Sequence, residues 1–526
     1  MKRALALVLL LLQLGEAYKI LISSFPNSHS HKSSKYPFAR ALMAAGHEVA
    51  FFGEVIQPSK GLPEGARDLQ IELANKSYDL WGVMAYGNDS VLISNTWTIF
   101  TRPLEYTWLW QLATGQMNNL HENHAMELED VLAEPWDLVA VDSVAQVSGL
   151  SAALEMKRRR GTPFIIFNTM FVDEPHLYEM GLPAPNHAPP LHPQSLDWSI
   201  DSFWDRLAVF KHFLEFTYGR IQQSAIVDPV LERHYPGAGF SYSRFFHQAD
   251  SAFTDYLAQY TDWLTPTSTG LIYSGTHCQL ASSQTIEPDL LKFLDHPKSK
   301  GTIVLAFGTY MDWSQAPAEV VAMFGAALAF FKDYRVLWLH QGRPFPVAAN
   351  VRLVSWYPQH ALLRHPRTKV FISHGGIKSS REVLCSGVPT LFMPLFGDQV
   401  RNVMLATKNG YALAINKFHL SEQLLIQKIQ ELLQNEARFR AAGAAARAGS
   451  QAGLASGLEL AVHRAQLLAR HRGRDLSRFL RLAAADLALP ARHYLDWAAL
   501  LASAVLLLSA CLLRLRSIDP SSAAVL

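Results

Sequence analysis

Residues 356–399 read WYPQHALLRHPRTKVFISHGGIKSSREVLCSGVPTLFMPLFGDQ, and the order of apolar runs and glycines in this stretch decides the fold. The apolar run 370–373 (VFIS) stops at His374-Gly375-Gly376, a helix-compatible stretch follows over 379–386, and Gly387 closes it. Residues 388–393 resume the apolar character between Pro389 and Pro394, as the next buried strand of a βαβ unit. Two glycines at a strand-to-helix turn let a ligand approach the backbone, and the free N–H groups of the helix start favour an anion such as phosphate. Glu382 is placed to accept hydrogen bonds from a ribose diol, and Trp356 offers a flat face to a base.

The chain has 526 residues, 49% of them apolar, enough for several domain-sized units with real cores. Its formal net charge of +2 and the lack of a broad basic face interleaved with aromatics give no support to nucleic-acid binding. The run Lys157 to Arg160 before Gly161 reads as a helix C-terminus meeting its dipole and its glycine cap. Three cysteines, Cys278, Cys385 and Cys511, allow at most one bridge within the folded part, and Cys385 reads as a small buried apolar residue. His121-Glu122-Asn123-His124 lacks a third ligand at metal spacing and reads as a solvated helix face.

Both ends of the chain speak to compartment. Residues 1–17 combine a basic start, an apolar core and small residues before Ala17, the pattern of a secretory signal. Residues 494–513 form an apolar stretch at the short limit of a membrane span, followed by Arg514 and Arg516 in a tail over 514–526, the layout of a type I anchor. Asn75 and Asn88 head glycosylation sequons.

The ordered set W-x-P-Q, H-x-G with a Glu eight residues after the His, and P-x-x-x-D-Q closely resembles the signature of UDP-glycosyltransferases, inverting enzymes built from two facing Rossmann-like domains, the GT-B fold. That resemblance implies an α/β chain with an acceptor-binding domain over 18–273, a linker over 274–300, a UDP-sugar-binding domain over 301–436, helices over 437–493 that cross back onto the first domain, and a C-terminal transmembrane helix. It also implies roles: Trp356 stacking on uracil, Gln359 holding the uridine, His374, Gly376, Lys378 and Ser379 meeting the pyrophosphate with Thr309, Glu382 on the ribose, and Asp398 with Gln399 on the donor sugar. Lys378 and Leu339 depart from the family pattern, the first standing where relatives carry Asn or His, the second where many carry Arg or Lys.

A hydroxyl acceptor needs a base, and histidine titrates in the right range. The resemblance puts that base in the loop FPNSHSHKSSK, fifteen residues before Gly46, which selects His31 with His29 as the fallback. Asp142 ends the apolar segment WDLVAVDS at the carboxyl edge of a strand, where it would orient the imidazole, whereas Asp137 starts the segment at the opposite edge. No Asp-x-Asp occurs, so the expectation is a metal-free reaction with no cofactor beyond the UDP-sugar co-substrate. The segment RLAVFKHFLEFTYGR at 206–220 is apolar on one face and reads first as core, with an acceptor cleft or the bilayer as alternatives. The reading is therefore a transferase moving a hexose or hexuronic acid from a UDP-sugar to a hydroxyl of a small lipophilic acceptor. It is expected in the endoplasmic reticulum membrane with its catalytic part lumenal, with homo-oligomerisation left open. The alternatives are a catalytically impaired membrane-anchored partner subunit and a binding module for nucleotide-sugars.

Overall fold

A computed structural model of the chain describes residues 16–25, 28–55, 61–73, 107–170, 174–182, 196–257, 268–275, 285–308, 316–340, 344–453, 455–474, 476–492 and 494–517, with single positions such as Trp97 between them. Most of the expected signal segment, both sequons, Thr309 and residues 518–526 of the tail lie outside the described residues.

The apolar runs become strands of two parallel sheets. The first holds β1 (Lys19–Ser23), β2 (Glu48–Val55), β3 (Arg67–Glu72), β4 (Leu138–Asp142), β5 (Phe164–Asn168), β6 (Ser251–Thr254) and β7 (Leu271–Tyr273), in the order β3-β2-β1-β4-β5-β6-β7. The second holds β8 (Thr302–Ala306), β9 (Arg335–Leu339), β10 (Val351–Val354), β11 (Thr368–Ser373), β12 (Thr390–Phe392) and β13 (Ala412–Ala414), in the order β10-β9-β8-β11-β12-β13. Every pairing is parallel. Strands β4, β5 and β8 are buried along their whole length, which is why they read as unbroken apolar runs: helices cover both faces. Each sheet reverses its strand order once, between β1 and β4 and between β8 and β11. In doubly wound sheets these reversal points open the crevices that take ligands.

The two lobes share a core. One apolar cluster takes Leu177, Tyr256 and Leu271 from the first lobe and Leu362, Phe371 and Val383 from the second. Helix Gly457–Arg470, opened by a capping box of Ser456 and Glu459, returns the chain to the first lobe, where Leu458, Ala461, Ala465 and Leu468 pack in one cluster with Ile20, Phe38 and Phe253. Helix Val147–Arg160 ends at Gly161 with φ +66, as the basic run predicts.

Two expectations change. Cys385 is not a lone buried apolar residue: it is disulfide-bonded to Cys278, with the Cα atoms 5.5 Å apart. The apolar face of segment 206–220 is not core. It belongs to helix Phe203–His234, and Trp204 (73% exposed), Leu207, Phe210 (57%), Leu214 and Tyr218 stand in solvent while only Val209, His212 and Gly219 of that segment are buried. Strand β8 ends at Ala306, and Gly308 turns the chain at φ +76. Helix Leu495–Ser517 carries a candidate membrane span, Leu495–Arg514, with mean hydropathy 2.0 and no part buried against the protein.

Candidate active site

The carboxyl ends of β1 and β4 bring the first group of residues together. The short helix His29–Ser34 follows β1, capped by Ser28, whose hydroxyl accepts from the His31 N–H at 3.2 Å. His31 Nδ1 lies 3.1 Å from Asp142 Oδ2 and 3.3 Å from Oδ1, at the last residue of β4. With Nδ1 so engaged, Nε2 carries no hydrogen bond among the described residues. Asp142 is fully buried and also accepts from the Val144 N–H at 3.1 Å and the Lys35 ammonium at 2.5 Å. Burial alone would raise its pKa, but the charges of Lys35 and His31 outweigh that and hold the carboxyl well below the usual range. Asp137 lies at the other edge, accepting from the Lys19 N–H at 2.9 Å and facing Arg472, away from His31. His29 is exposed and meets Tyr36 edge-on.

Two members of this group escaped the sequence reading. Lys35, 0% exposed, stands one helical turn after His31, and that four-residue spacing was the available signal. Thr169 follows β5, and its hydroxyl oxygen is 2.7 Å from His31 Nδ1. Nothing local to FIIFNT marks that threonine except its place at a strand's carboxyl end.

The second group gathers where β8 and β11 end. Gly375, with φ +86, and Gly376 form the turn into helix Ile377–Ser386, and Gly376 caps it. Side chains are excluded here by space: a Cβ at Gly376 would sit 2.7 Å from His374 Nε2, and one at Gly375 would sit 2.4 Å from Val403. His374 is buried, which pushes its pKa down to about 4, so at neutral pH it acts as an uncharged imidazole. Gln359 donates to Ser379 Oγ at 3.1 Å and to Glu382, whose carboxyl is raised by burial. Trp356 just ahead is 66% exposed, a free aromatic face beside Gln359. Asp398 directly precedes helix Gln399–Lys408, its carboxylate accepting from Asn402 Nδ2 at 2.7 Å, and burial pushes its pKa up to about 6. Gln399 uses its carbonyl to hold the turn, accepting from Leu395 N–H at 2.9 Å and Phe396 N–H at 3.2 Å.

The two groups face each other, and Lys378 crosses the cleft, its ammonium bonded to the Ser30 carbonyl and 2.5 Å from Ser33 Oγ. Lys378 therefore neither reaches into solvent nor lies free beside the turn. Burial lowers its pKa to about 7. Leu339 ends β9, partly buried against the shared apolar cluster. The HENH segment lies elsewhere, beside a separate cavity of about 590 Å³, with His121 stacked on His234 at 4.1 Å and His124 paired with Glu127.

Comparison with known proteins gives this geometry a family. Residues 256–517 match the family model described as UDP-glucoronosyl and UDP-glucosyl transferase. UDP-glucuronosyltransferase 3A1 of Homo sapiens is 27% identical over 325 residues, 61% of this chain and 59% of that protein. UDP-glucuronosyltransferase 2B13 of Oryctolagus cuniculus is 30% identical over 223 residues, 42% of this chain and 40% of that protein. The chain thus spans about 60% or less of the length of the curated relatives it matches. Among solved structures, CalG4, the calicheamicin glycosyltransferase, aligns with TM-score 0.57 at 13% identity, covering 87% of this chain and 100% of that one. Os79 from O. sativa in complex with UDP aligns with TM-score 0.56 at 16% identity, covering 85% and 100%. Two doubly wound sheets, a glycine turn at a helix start and these matches together place residues 256–517 in the UDP-glucoronosyl and UDP-glucosyl transferase family, on a chain with the GT-B fold.

Proposed function

We propose that the chain is an inverting UDP-glycosyltransferase that moves a hexose or hexuronic acid onto a hydroxyl of a small lipophilic acceptor. The observation that carries this reading is the His31–Asp142 contact at 3.1 Å, set at the first sheet's reversal point and opposite the glycine turn of the second. His31 Nε2 takes the acceptor's proton as its oxygen attacks the anomeric carbon and the bond to UDP breaks on the far side of that carbon. Asp142 holds the tautomer and stabilises the imidazolium as it forms. Negative charge gathering on UDP meets the N-terminus of helix Ile377–Ser386 and the neutral His374, while Glu382 and Gln359 take the ribose and uridine and Asp398 and Gln399 take the sugar. Thr309 is assigned to the pyrophosphate by sequence alone.

A lumenal, membrane-anchored setting in the endoplasmic reticulum fits three features: the Cys278–Cys385 bridge, favoured in an oxidising compartment, the candidate span Leu495–Arg514, and the exposed apolar face of helix Phe203–His234. An enzyme resting that face on a bilayer would meet acceptors that partition there. The impaired-subunit alternative leaned on Lys378 and Leu339. Lys378 has defined partners and Leu339 packs, partly buried, against the shared apolar cluster, so neither counts as decay. The test incubates the full chain in membranes with UDP-glucose, UDP-glucuronic acid and UDP-galactose and a set of lipophilic phenols, read by mass. Conjugates are expected with at least one donor, and none with any donor overturns the proposal.

A further inference from the structure

The helix Ile377–Ser386 carries more than the donor turn. Glu382 and Ser379 hold Gln359 on the donor side. Lys378, Arg381 and Cys385, spaced three and four residues apart, share another face, and all three fasten to groups outside the second sheet. Lys378 bonds Ser30 and Ser33 of the helix that bears His31. Arg381 is buried, pairs with the Asp255 carboxylate and donates to the Asp255 carbonyl at 3.0 Å. Asp255 follows β6 and donates its own N–H to the Asn168 carbonyl at 2.8 Å, next to Thr169, the second partner of His31. Cys385 closes the row through its disulfide to Cys278, just beyond β7.

We infer that this helix is a clamp between the lobes and that Lys378 is a positioning residue for the base, holding the His29–Ser34 helix from across the cleft. A helix of six residues cannot hold itself in water, so its place depends on what grips it. Ser28 secures one end and the Lys35–Asp142 pair secures the other. Lys378 grips the face between them, from within the first turn of helix Ile377–Ser386. Arg381 connects to the same histidine by a second route, through Asp255, Asn168 and the adjacent Thr169. One helix thereby ties the place where the donor's phosphates would bind to the place where the proton leaves.

The inference rests on the UDP-sugar reading of the cleft, and its test separates the two. The full chain is prepared as wild type, Lys378→Met, Lys378→Arg and Ser33→Ala. Hydrogen exchange across residues 28–35 is measured by mass, UDP affinity by calorimetry, and kcat and KM with any donor that turns over. Lys378→Met is expected to speed exchange across 28–35 by roughly tenfold or more. It is also expected to lower kcat roughly ten- to hundredfold by displacing the base, with UDP affinity within about threefold of wild type. Lys378→Arg restores most of both. Ser33→Ala, which leaves the donor helix untouched, shifts both in the same direction by less, and the double variant falls short of the sum of the two single changes. Unchanged exchange across 28–35 in Lys378→Met overturns the clamp. So does a loss of UDP affinity that accounts for the whole loss of kcat/KM, which would make Lys378 a phosphate ligand. Failure of the wild type to bind UDP overturns the reading of the cleft instead.

Discussion

Replacing Asp142 by Asn removes one negative charge from a place where two groups depend on it. Lys35 is 0% exposed and sits 2.5 Å from Asp142, so the substitution strands a buried ammonium. Breaking a buried pair from one side costs about 3–5 kcal/mol, because the remaining charge stays desolvated without its partner. For a lobe of this size that corresponds to a fall of roughly 6–20 °C in melting temperature. The same change removes the anion that fixes the His31 tautomer, and the precedent of triad aspartates sets the loss of kcat at about 10³–10⁴-fold. The double variant Lys35→Met/Asp142→Asn separates the effects. With no stranded cation, stability returns to within about 1–2 kcal/mol of wild type, while activity stays low because His31 still lacks its anion. Thermal unfolding of the full chain in detergent, paired with initial rates of conjugate formation, reads both quantities. An Asp142→Asn protein as stable as wild type, or a double variant that regains activity, refutes the reasoning.

Trp356→Ala should leave stability within about 0.5 kcal/mol, since the ring is exposed, yet weaken UDP binding by about 1–3 kcal/mol through lost stacking on uracil, measured by calorimetry. Asp398→Asn tests a sign: burial raises Asp398 to about 6, so the folded chain binds its proton more tightly than the unfolded chain, and stability declines as pH rises from about 4 to about 6. Asn in its place should stabilise by about 1–3 kcal/mol at pH 7.5 with no gain at pH 4, while sugar transfer is lost; equal gains at both pH values contradict the assignment. Removing the disulfide with Cys278→Ser/Cys385→Ser, which opens a separation of 107 residues, should cost about 2–5 kcal/mol by thermal unfolding. Peptide mapping without reductant should recover Cys278 and Cys385 as one cross-linked species, and finding both free excludes the bridge.

What could be read from the chain was what depends on neighbours in sequence. VFIS-HGG with its glycine-closed helix is the β11 turn, because burial on both faces and the steric needs of the turn are local constraints. Asp142 was legible because strand ends in parallel sheets share one edge. Contacts made by long closure were not. Lys35 finds Asp142 107 residues on, Thr169 reaches His31 from 138 residues away, and Lys378 meets Ser33 across 345. Cys385 could not be paired because its partner lies in a polar linker with no pattern of its own. The stripe on helix Phe203–His234 shows the limit of periodicity: it locates an apolar face and says nothing of what covers it.

The central claim is that a UDP-sugar held by the second lobe is attacked by a hydroxyl deprotonated at His31. Comparing wild type with His31→Ala in the full chain, with UDP affinity and conjugate formation measured on the same preparation, tests it most directly. UDP binding should be equal in the two proteins and conjugate formation should fall at least 10²–10⁴-fold, as loss of a general base requires, to about background. Conjugates formed by His31→Ala at the wild-type rate would contradict it.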